Sequence, residues 1–307
     1  MSPRRSLPAS LLKAMRPKQW IKNLLLFAGF VFTLNERWRP FTPEMWEYLS
    51  RSVAAFVLFS LISSSVYLLN DVRDVEKDRA HPTKRNRPIA SGDLPASVAT
   101  AVGIALMPIC LVLGFILSPA FAAVAGSYLI MQFAYIYALK NVVLLDVLII
   151  SLGFVMRAVS GAVVIGAVIS PWLYTVTLLG ALFLGLCKRR HELLLLEGGA
   201  GQHRKILEMY TPSLLDSLIS IVASSTIMAY SLYTFTSLTG QRAASTNNLM
   251  MLTIPFVIFG LFRYVYLAHR QNAGGSPEEV FLKDKPLIVT ILLWIAATGL
   301  ILGTRHG

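Results

Sequence analysis

The segment LLNDVRDVEKDRAHPTKRNRPIASG, residues 68–92, concentrates charge in a chain that is otherwise strongly apolar. The 307 residues are 55% hydrophobic and only 14% charged, whereas about 25% of the residues in a soluble domain are charged. Apolar runs lie on both sides of the segment, and each run of about twenty residues is long enough to cross a bilayer core of roughly 30 Å. The composition therefore predicts an all-α, polytopic membrane protein.

The apolar runs predict nine transmembrane helices and no separate soluble domain, so we expect residues 1–307 to form a single transmembrane domain. Prolines and polar pairs at Ser118-Pro119, Lys140-Asn141 and Ser170-Pro171 predict tight helical hairpins, because proline is well tolerated at the first position of a helix. The predicted spans are about 20–35, 48–70, 95–117, 119–138, 142–168, 170–187, 213–238, 249–269 and 284–304.

The positive charges predict the orientation of the chain. Most of the 28 lysines and arginines fall in the N-terminal arm and in the segments 71–94, 188–212 and 270–285. Cytoplasmic loops carry such an excess. We therefore expect a cell (inner) membrane protein with its charged face in the cytoplasm, where 71–94 and 188–212 would form cap loops. The net charge of +12 reflects this topology and the attraction to lipid head groups, so we expect no nucleic-acid partner.

The acidic part of the opening segment has the pattern N-D-x-x-D-x-x-x-D. Asn70, Asp74 and Asp78 are spaced by four residues and so share one helix face, and Asp71 lies at the edge of that face. Mg²⁺ prefers oxygen ligands and is usually shared between one or two carboxylates and substrate phosphates. Charge that abuts an apolar span is costly and usually functional. The pattern predicts a Mg²⁺ site formed by Asn70, Asp71, Asp74 and Asp78, although a solvated helix end has similar composition.

The basic part, HPTKRNRPIASG, follows directly. Lys84, Arg85 and Arg87 lie between the turn-forming residues Pro82, Pro88 and Gly92. Lysine and arginine bind phosphate oxygens well, so we expect these three side chains to bind oxygens that the metal leaves uncovered. Positive-inside topology alone is the alternative explanation.

N-D-x-x-D-x-x-x-D followed by R-P-x-A-S-G resembles the UbiA superfamily of intramembrane prenyltransferases over most of the chain. The resemblance implies nine transmembrane helices around a central cavity and two Asp-rich, Mg²⁺-dependent motifs. It also implies that Asp71, Asp74 and Asp78 are catalytic. In that family the second motif follows the sixth span.

At the second position this chain has CKRRHELLLLEGG, residues 187–199, instead of an aspartate cluster. Lys188, Arg190 and the single nearby carboxylate Glu192 are candidates for substrate binding, and a basic cluster that binds lipid head groups is the alternative. If the helices ring a cavity, the two motifs can face each other across it. A site with one acidic and one basic cluster suits substrates that together carry several phosphates. It suits a prenyl diphosphate and a phenol less well.

This departure, together with RPKQWIKNLLLFAG (16–29), resembles one branch of the superfamily. Members of that branch transfer 5-phosphoribose from phosphoribosyl diphosphate (PRPP) to a polyprenyl (decaprenyl-like) phosphate and so make a precursor of a lipid-linked arabinose donor for cell-wall arabinan. The implied partners are PRPP, the polyprenyl phosphate and the bilayer, and a homo-oligomer is compatible with the sequence. The alternative enzyme moves a prenyl group from a polyprenyl diphosphate to an aromatic acceptor; a transporter is disfavoured because the charge lies at one membrane face.

Five further residues are candidates for substrate binding. Arg157 is deep in the fifth span and should face the protein interior, where it can bind the acceptor phosphate or backbone carbonyl groups. Tyr67, one turn before Asn70, can reach a ribose or phosphate oxygen or pack in the core. The first span adds Lys18, Lys22 and Asn23 to the candidates for binding phosphates.

Overall fold

The computed structural model describes residues 6–82, 84–197, 205–236, 249–270, 280–281 and 283–303. Helices form most of this part of the chain, and it contains no β-strand beyond an isolated bridge between Leu34 and Trp38. The expected all-α fold is confirmed.

The described residues contain these α-helices in chain order: α1 (Leu7–Ala14), α2 (Phe27–Phe32), α3 (Pro43–Arg73), α4 (Val75–Ala80), α5 (Ala96–Leu117), α6 (Pro119–Tyr137), α7 (Leu145–Val164), α8 (Pro171–Glu197), α9 (Pro212–Thr236), α10 (Ile254–Arg270) and α11 (Lys285–Gly303). Short 3₁₀ helices lie at Lys84–Asn86, Leu139–Asn141, Lys205–Met209 and Leu249–Thr253, and a longer one lies at Pro17–Leu26.

Seven helical segments in the described residues are long and apolar enough to cross a membrane: Pro43–Arg73, Ala96–Leu117, Pro119–Tyr137, Leu145–Val164, Pro212–Phe235, Leu249–Arg270 and Lys285–Gly303. The chain is therefore a multi-pass membrane protein. Of the other two predicted spans, about 20–35 is divided between Pro17–Leu26 and α2, and 170–187 lies within α8. Neither of these two is among the seven, so the count of nine stays a prediction.

The helix breaks of the predicted hairpins lie where the sequence places them. Helix α5 ends at Leu117 and α6 begins at Pro119, and the Ser118 hydroxyl between them accepts a hydrogen bond from the Phe121 N–H at 3.3 Å. This is an N-cap that satisfies one of the unpaired donors at a helix start. The breaks before Leu145 and Pro171 likewise match the predicted ones.

Helix α8 extends further than expected. It continues to Glu197, so the first ten residues of the predicted cap loop 188–212 are helical. The extended part, residues 188–197, contains no glycine or proline, which explains the extension. Residues 198–204 of this predicted loop lie outside the described part of the chain.

The chain divides into two compact units. Unit 1 comprises 1–31, 41–140 and 156–168, and unit 2 comprises 32–40, 141–155 and 169–307. In unit 1, a buried apolar core forms around α3, α5 and α6. In unit 2, a second core forms around α8, α9 and α10. The prediction of one domain stays a prediction.

The 3₁₀ helix Pro17–Leu26 packs against α3 in unit 1. A 3₁₀ helix has three residues per turn, so Trp20, Asn23 and Leu26 form one row. Trp20 donates to the Ser64 hydroxyl at 3.0 Å, Asn23 donates to the Ser60 hydroxyl at 2.9 Å, and Leu26 is fully buried. Runs this long are uncommon for a 3₁₀ helix, and the hydrogen bonds to the serines of α3 account for it. The sequence analysis expected an α-helical span here and missed this register.

Helix α7 passes very close to the same 3₁₀ helix within unit 1. A Cβ atom added at Gly161 would lie 1.8 Å from the carbonyl oxygen of Leu26, which is backbone and cannot move aside as a flexible side chain would. Glycine at position 161 therefore sets the distance between the two elements.

We expect Gly161→Ala to destabilise the protein by about 1–3 kcal/mol or more, because the added methyl overpacks a backbone contact. Gly126→Ala in α6 is the matched control, since a Cβ there has open space around it. Thermal unfolding of the purified protein in detergent measures both. Equal melting temperatures for the two variants would contradict the close approach.

Candidate functional site

The acidic motif runs from the last turn of α3 into α4. Asp74 lies between the two helices, yet its N–H donates to the Asn70 carbonyl at 3.0 Å and its own carbonyl accepts from the Asp78 N–H at 2.8 Å. The four-residue spacing predicted from the sequence thus continues across the junction. Asp71 and Asp78 are buried, with 3% and 4% of their surface exposed, and Asp74 is partly exposed.

Two arginines neutralise the buried carboxylates. The Nη1 atom of Arg87 lies 3.0 Å from Asp71 Oδ1 and 2.6 Å from Asp78 Oδ2. The Nη2 atom of Arg16 lies 2.5 Å from the same Asp71 oxygen. We call Arg16, Asp71, Asp78 and Arg87 the carboxylate–arginine cluster; all four residues belong to unit 1.

The geometry of this cluster fits a divalent cation. A single nitrogen of Arg87 contacts oxygens of both aspartates, so the two carboxylates already converge on one positive centre. Mg²⁺ is commonly held by one or two carboxylates together with substrate phosphates. Within the described residues, no group of three or more His, Cys, Asp or Glu side chains is arranged to hold a metal ion. The convergence of Asp71 and Asp78 is compatible with a metal ion held with substrate oxygens, and the ligand roles of Asn70, Asp71, Asp74 and Asp78 all stay predictions.

The basic loop delivers Arg87 to the carboxylates instead of presenting it to solvent. The Leu94 N–H donates to the Pro88 carbonyl at 2.8 Å. Gly92 has a φ of +82°, a backbone conformation that glycine adopts more readily than other residues. Ile89, Ala90 and Leu94 are buried under this turn. Arg87, expected to bind substrate, thus has carboxylate partners in this structure.

Lys84 and Arg85 lie on the short 3₁₀ helix of the loop, where Arg85 is exposed and Lys84 partly exposed. Burial and, next, the charge of Lys84 lower the pKa of His81, with a smaller contribution from Arg87; Asp78 opposes the shift. Lys84 and Arg87 thus place positive charge near the end of α4, although burial is the main cause of the lowered pKa of His81. Such a loop suits an anionic ligand.

Arg16 is the residue that the sequence analysis missed. It begins the segment 16–29 and adds to the positive charge of the N-terminal arm, but the sequence does not mark it as a site residue. Its guanidinium carbon lies 4.8 Å from the centre of the Tyr67 ring, so Tyr67, a candidate for substrate binding, lies next to the cluster. A single sequence carries no signal for the Arg16–Asp71 pair, because 55 residues separate the partners.

Asn23 and Arg157, both predicted from the sequence, meet inside unit 1. Arg157 Nε donates to Asn23 Oδ1 at 2.7 Å, and its Nη2 donates to the Tyr128 hydroxyl at 3.1 Å. The guanidinium also lies 5.6 Å from the centre of the Phe59 ring. Arg157 is 5% exposed, so it faces the protein interior as expected. On the same 3₁₀ helix as Asn23, Lys18 is exposed and Lys22 partly exposed.

The second motif is held by ion pairs within unit 2. Arg189 Nε donates to Asp146 Oδ2 at 2.8 Å, and its Nη1 donates to Glu192. The Tyr210 hydroxyl donates to Asp146 Oδ1 and accepts from the Leu144 N–H, each at 2.8 Å. Glu192, expected to bind substrate, therefore shares Arg189 with Asp146.

The two basic residues next to Arg189 have different environments: Arg190 contacts a carboxylate, whereas Lys188 is exposed. Arg190, another candidate for substrate binding, donates to Asp216, whose Oδ1 atom lies 3.2 Å from His269 Nε2. Lys188 is exposed. Of the predicted basic residues in this motif, Lys188 thus presents the most accessible charge. The expectation that the two motifs converge stays a prediction.

An apolar cavity of about 260 Å³ lies in unit 2 between α8, α10 and α11, and its lining includes Phe183, Tyr264 and Trp294. Its lining includes no acidic or basic side chain among the described residues, so the cavity suits hydrocarbon and not a phosphate group.

Residues 24–283 match the family model described as UbiA prenyltransferase family. The chain belongs to this family. Its fold is similar to that of a UbiA homologue from Archaeoglobus fulgidus solved with DMAPP and Mg²⁺, with a TM-score of 0.70 and 16% identity over 96% of this chain and 100% of that one. The chain is therefore an enzyme of the transferase class in this family.

Two curated relatives are closer in sequence. One is the decaprenyl-phosphate phosphoribosyltransferase of Mycolicibacterium smegmatis, which is 37% identical over 97% of this chain and 93% of that protein. The other is the protein of the same name from Corynebacterium glutamicum, 36% identical over 95% of this chain and 86% of that protein.

The Tyr210 hydroxyl makes two hydrogen bonds in unit 2, so its removal should destabilise the protein. Tyr210→Phe leaves the Leu144 N–H without its acceptor and Asp146 without one donor, which should cost about 1–3 kcal/mol of stability. Thermal unfolding in detergent measures the loss. Tyr174→Phe, at an exposed tyrosine of α8, is the control.

The pH dependence sharpens this test. Burial raises the pKa of Tyr210 to about 12, above its ordinary value of about 10. A raised pKa means that the contribution of Tyr210 to stability is complete below pH 10 and is lost as the pH rises through 12. The difference between the wild-type protein and Tyr210→Phe should shrink over that interval. A difference that stays constant would exclude the phenol as its source.

Proposed function

We propose that this chain transfers 5-phosphoribose from PRPP to a polyprenyl phosphate of decaprenyl type, in a Mg²⁺-dependent reaction. The observation that carries the proposal is the convergence of Asp71 and Asp78 on Arg87, with Arg16 beside them. This gives an acidic pair suited to a metal next to guanidinium groups suited to phosphate. The shared name of the two curated relatives supports the same donor and acceptor classes for this chain.

In the proposed reaction, the bond between C1 of the ribose and the diphosphate oxygen breaks, and a bond between C1 and an oxygen of the lipid phosphate forms. The products are polyprenyl-phosphoryl-5-phosphoribose and diphosphate. A phosphate monoester is already largely ionised at neutral pH, so the acceptor requires no strong general base. Mg²⁺ on the carboxylates would supply neutralisation of the diphosphate as it leaves.

The roles of the side chains follow from their positions. Asp71 and Asp78 would hold the metal, and Asp74 would complete the acidic face. Arg87, which lies between these carboxylates, is a candidate for a phosphate contact. The remaining candidates for phosphate contacts are Lys18, Lys22, Asn70, Lys84, Arg85, Arg157, Lys188 and Arg190, with Tyr67 and Asn23 as neutral partners.

The alternative function is transfer of a prenyl group from a polyprenyl diphosphate to an aromatic acceptor, as the family name suggests. That chemistry would favour a second acidic cluster at residues 187–199. The chain has Lys188, Arg189 and Arg190 there, and the carboxylate next to them, Glu192, is paired with Arg189. The second motif therefore favours a substrate pair that carries more phosphate.

We propose that the enzyme resides in the cell membrane with the carboxylate–arginine cluster at the cytoplasmic face. The excess of lysine and arginine in the segments around both motifs supports this orientation. PRPP is a soluble, highly charged donor, so a cytoplasmic site gives it direct access. The product would be the precursor of a lipid-linked arabinose donor.

Asp78→Asn should abolish formation of phosphoribosyl lipid without unfolding the protein, because the side chain keeps its size but loses the charge that a metal requires. The measurement uses purified full-length protein, labelled PRPP, decaprenyl phosphate and Mg²⁺, with EDTA as the metal-free condition. We expect the rate of phosphoribosyl-lipid formation to fall at least 100-fold, which is the size of effect expected when one strong electrostatic interaction with the transition state is removed.

Glu76→Gln is the matched control, since Glu76 lies in the same motif but is exposed and pairs with Arg79. It should retain activity near that of the wild type. Retained activity in Asp78→Asn would remove the assignment of the metal site. Absence of phosphoribosyl lipid together with prenylation of an aromatic acceptor would establish the alternative function.

A further inference from the structure

The backbone at Arg16 has an uncommon conformation. Its φ and ψ angles are 56° and 60°, in the left-handed region, and Pro17 follows it. Residues other than glycine rarely adopt positive φ, and a following proline restricts a residue further. Such strain persists where the surrounding contacts determine it, and it concentrates at functional sites.

The contacts around Arg16 fix this conformation. The carbonyl of Met15 accepts a hydrogen bond from the Ser64 hydroxyl at 2.8 Å, which anchors the chain to α3. The N–H of Arg16 donates to the Lys13 carbonyl at 3.2 Å, and its carbonyl accepts from the Gln19 N–H at 2.8 Å. The strained turn between α1 and the first 3₁₀ helix thus aims the guanidinium at Asp71.

The guanidinium group of Arg16 shares its acceptor, Asp71, with the guanidinium group of Arg87. Asp71 Oδ1 accepts from Arg16 Nη2 at 2.5 Å and from Arg87 Nη1 at 3.0 Å. Two guanidinium groups on one oxygen repel each other, and the arrangement is tolerated because the carboxylates lie between them. A divalent cation on the same oxygen would release the arginines, which would then attract an anion.

We propose that Arg16 is a phosphate-binding residue that exchanges partners. Without metal it neutralises Asp71, and when a divalent cation takes Asp71 the Arg16 guanidinium binds a phosphate oxygen of the donor. The ring of Tyr67, 4.8 Å from the guanidinium carbon, keeps the side chain close to the motif during the exchange. This inference rests on the proposed function for the identity of the donor, but the exchange itself depends only on the cluster.

The exchange predicts effects of opposite sign. Removing the charge of Arg16 removes a competitor for Asp71, so Mn²⁺ alone should bind more tightly. The same change removes a charged hydrogen-bond donor, so PRPP in the presence of Mn²⁺ should bind more weakly. If Arg16 only stabilised the fold, removing its charge would not tighten Mn²⁺ binding.

The test compares Arg16→Gln with the wild type as full-length protein in detergent. Free Mn²⁺ is followed by electron paramagnetic resonance without any phosphate ligand, and binding of labelled PRPP is measured at saturating Mn²⁺. We expect the Kd for Mn²⁺ to fall several-fold and the Kd for PRPP to rise about ten-fold or more, as for loss of a charged hydrogen bond.

Two further variants make the result decisive. Arg79→Gln changes a nearby arginine that is 53% exposed and pairs with Glu76, and it should alter neither constant. Arg16→Lys keeps the charge but lacks the planar fork, so it should leave Mn²⁺ binding near that of the wild type and weaken PRPP binding partly. If Arg16→Gln does not fold, Arg16→Lys carries the test through its PRPP constant.

The outcomes separate this inference from the proposed function. If the wild type binds PRPP and Arg16→Gln binds both ligands as the wild type does, the role of Arg16 is refuted and the proposed function stands. If the wild type binds a prenyl diphosphate but not PRPP, and Arg16→Gln shows the two opposite shifts with that diphosphate, the exchange stands and the proposed donor is wrong. Weaker Mn²⁺ binding in Arg16→Gln would overturn the exchange.

Discussion

The shared contact of Asp71 and Asp78 with one nitrogen of Arg87 is the interaction on which the rest of unit 1 depends. Two carboxylates buried at the end of a membrane span are costly unless cations neutralise them. Arg87 comes from the loop before α5, and Arg16 comes from the turn after α1. Charge balance therefore ties the N-terminal segment, α3 and the basic loop to one point.

Polar groups at membrane depth impose a second constraint on the same unit. Hydrogen bonds must be satisfied internally where no water is available. Asn23 achieves this by joining Ser60 of α3 to Arg157 of α7. The glycine at position 161 lets α7 approach Leu26 closely enough for this contact. The segment Pro17–Leu26 therefore stays a 3₁₀ helix, because an α-helix of the same sequence would not align these hydrogen-bonding side chains.

Local signals predicted the parts of the fold that depend on neighbours in sequence. Ser118-Pro119 predicted a helix break, and the spacing of Asn70, Asp74 and Asp78 predicted their helical register; both are present. Partners distant in sequence could not be predicted. Arg16 meets Asp71 across 55 residues, and Asp146 meets Arg189 across 43. A single sequence places charges on helices and loops but does not show which of them meet. The contacts of Arg87 with Asp71 and Asp78 could therefore not be predicted.

The most direct test of the account is a structure of the full-length protein with Mn²⁺ and PRPP, in which anomalous scattering locates the metal. The account predicts a metal within about 2.0–2.3 Å of oxygens from Asp71 and Asp78, as for an oxygen-ligated divalent cation. It also predicts that Arg87 Nη1 has left the point between the two carboxylates. A metal bound elsewhere, with Arg87 still bridging Asp71 and Asp78, would contradict it.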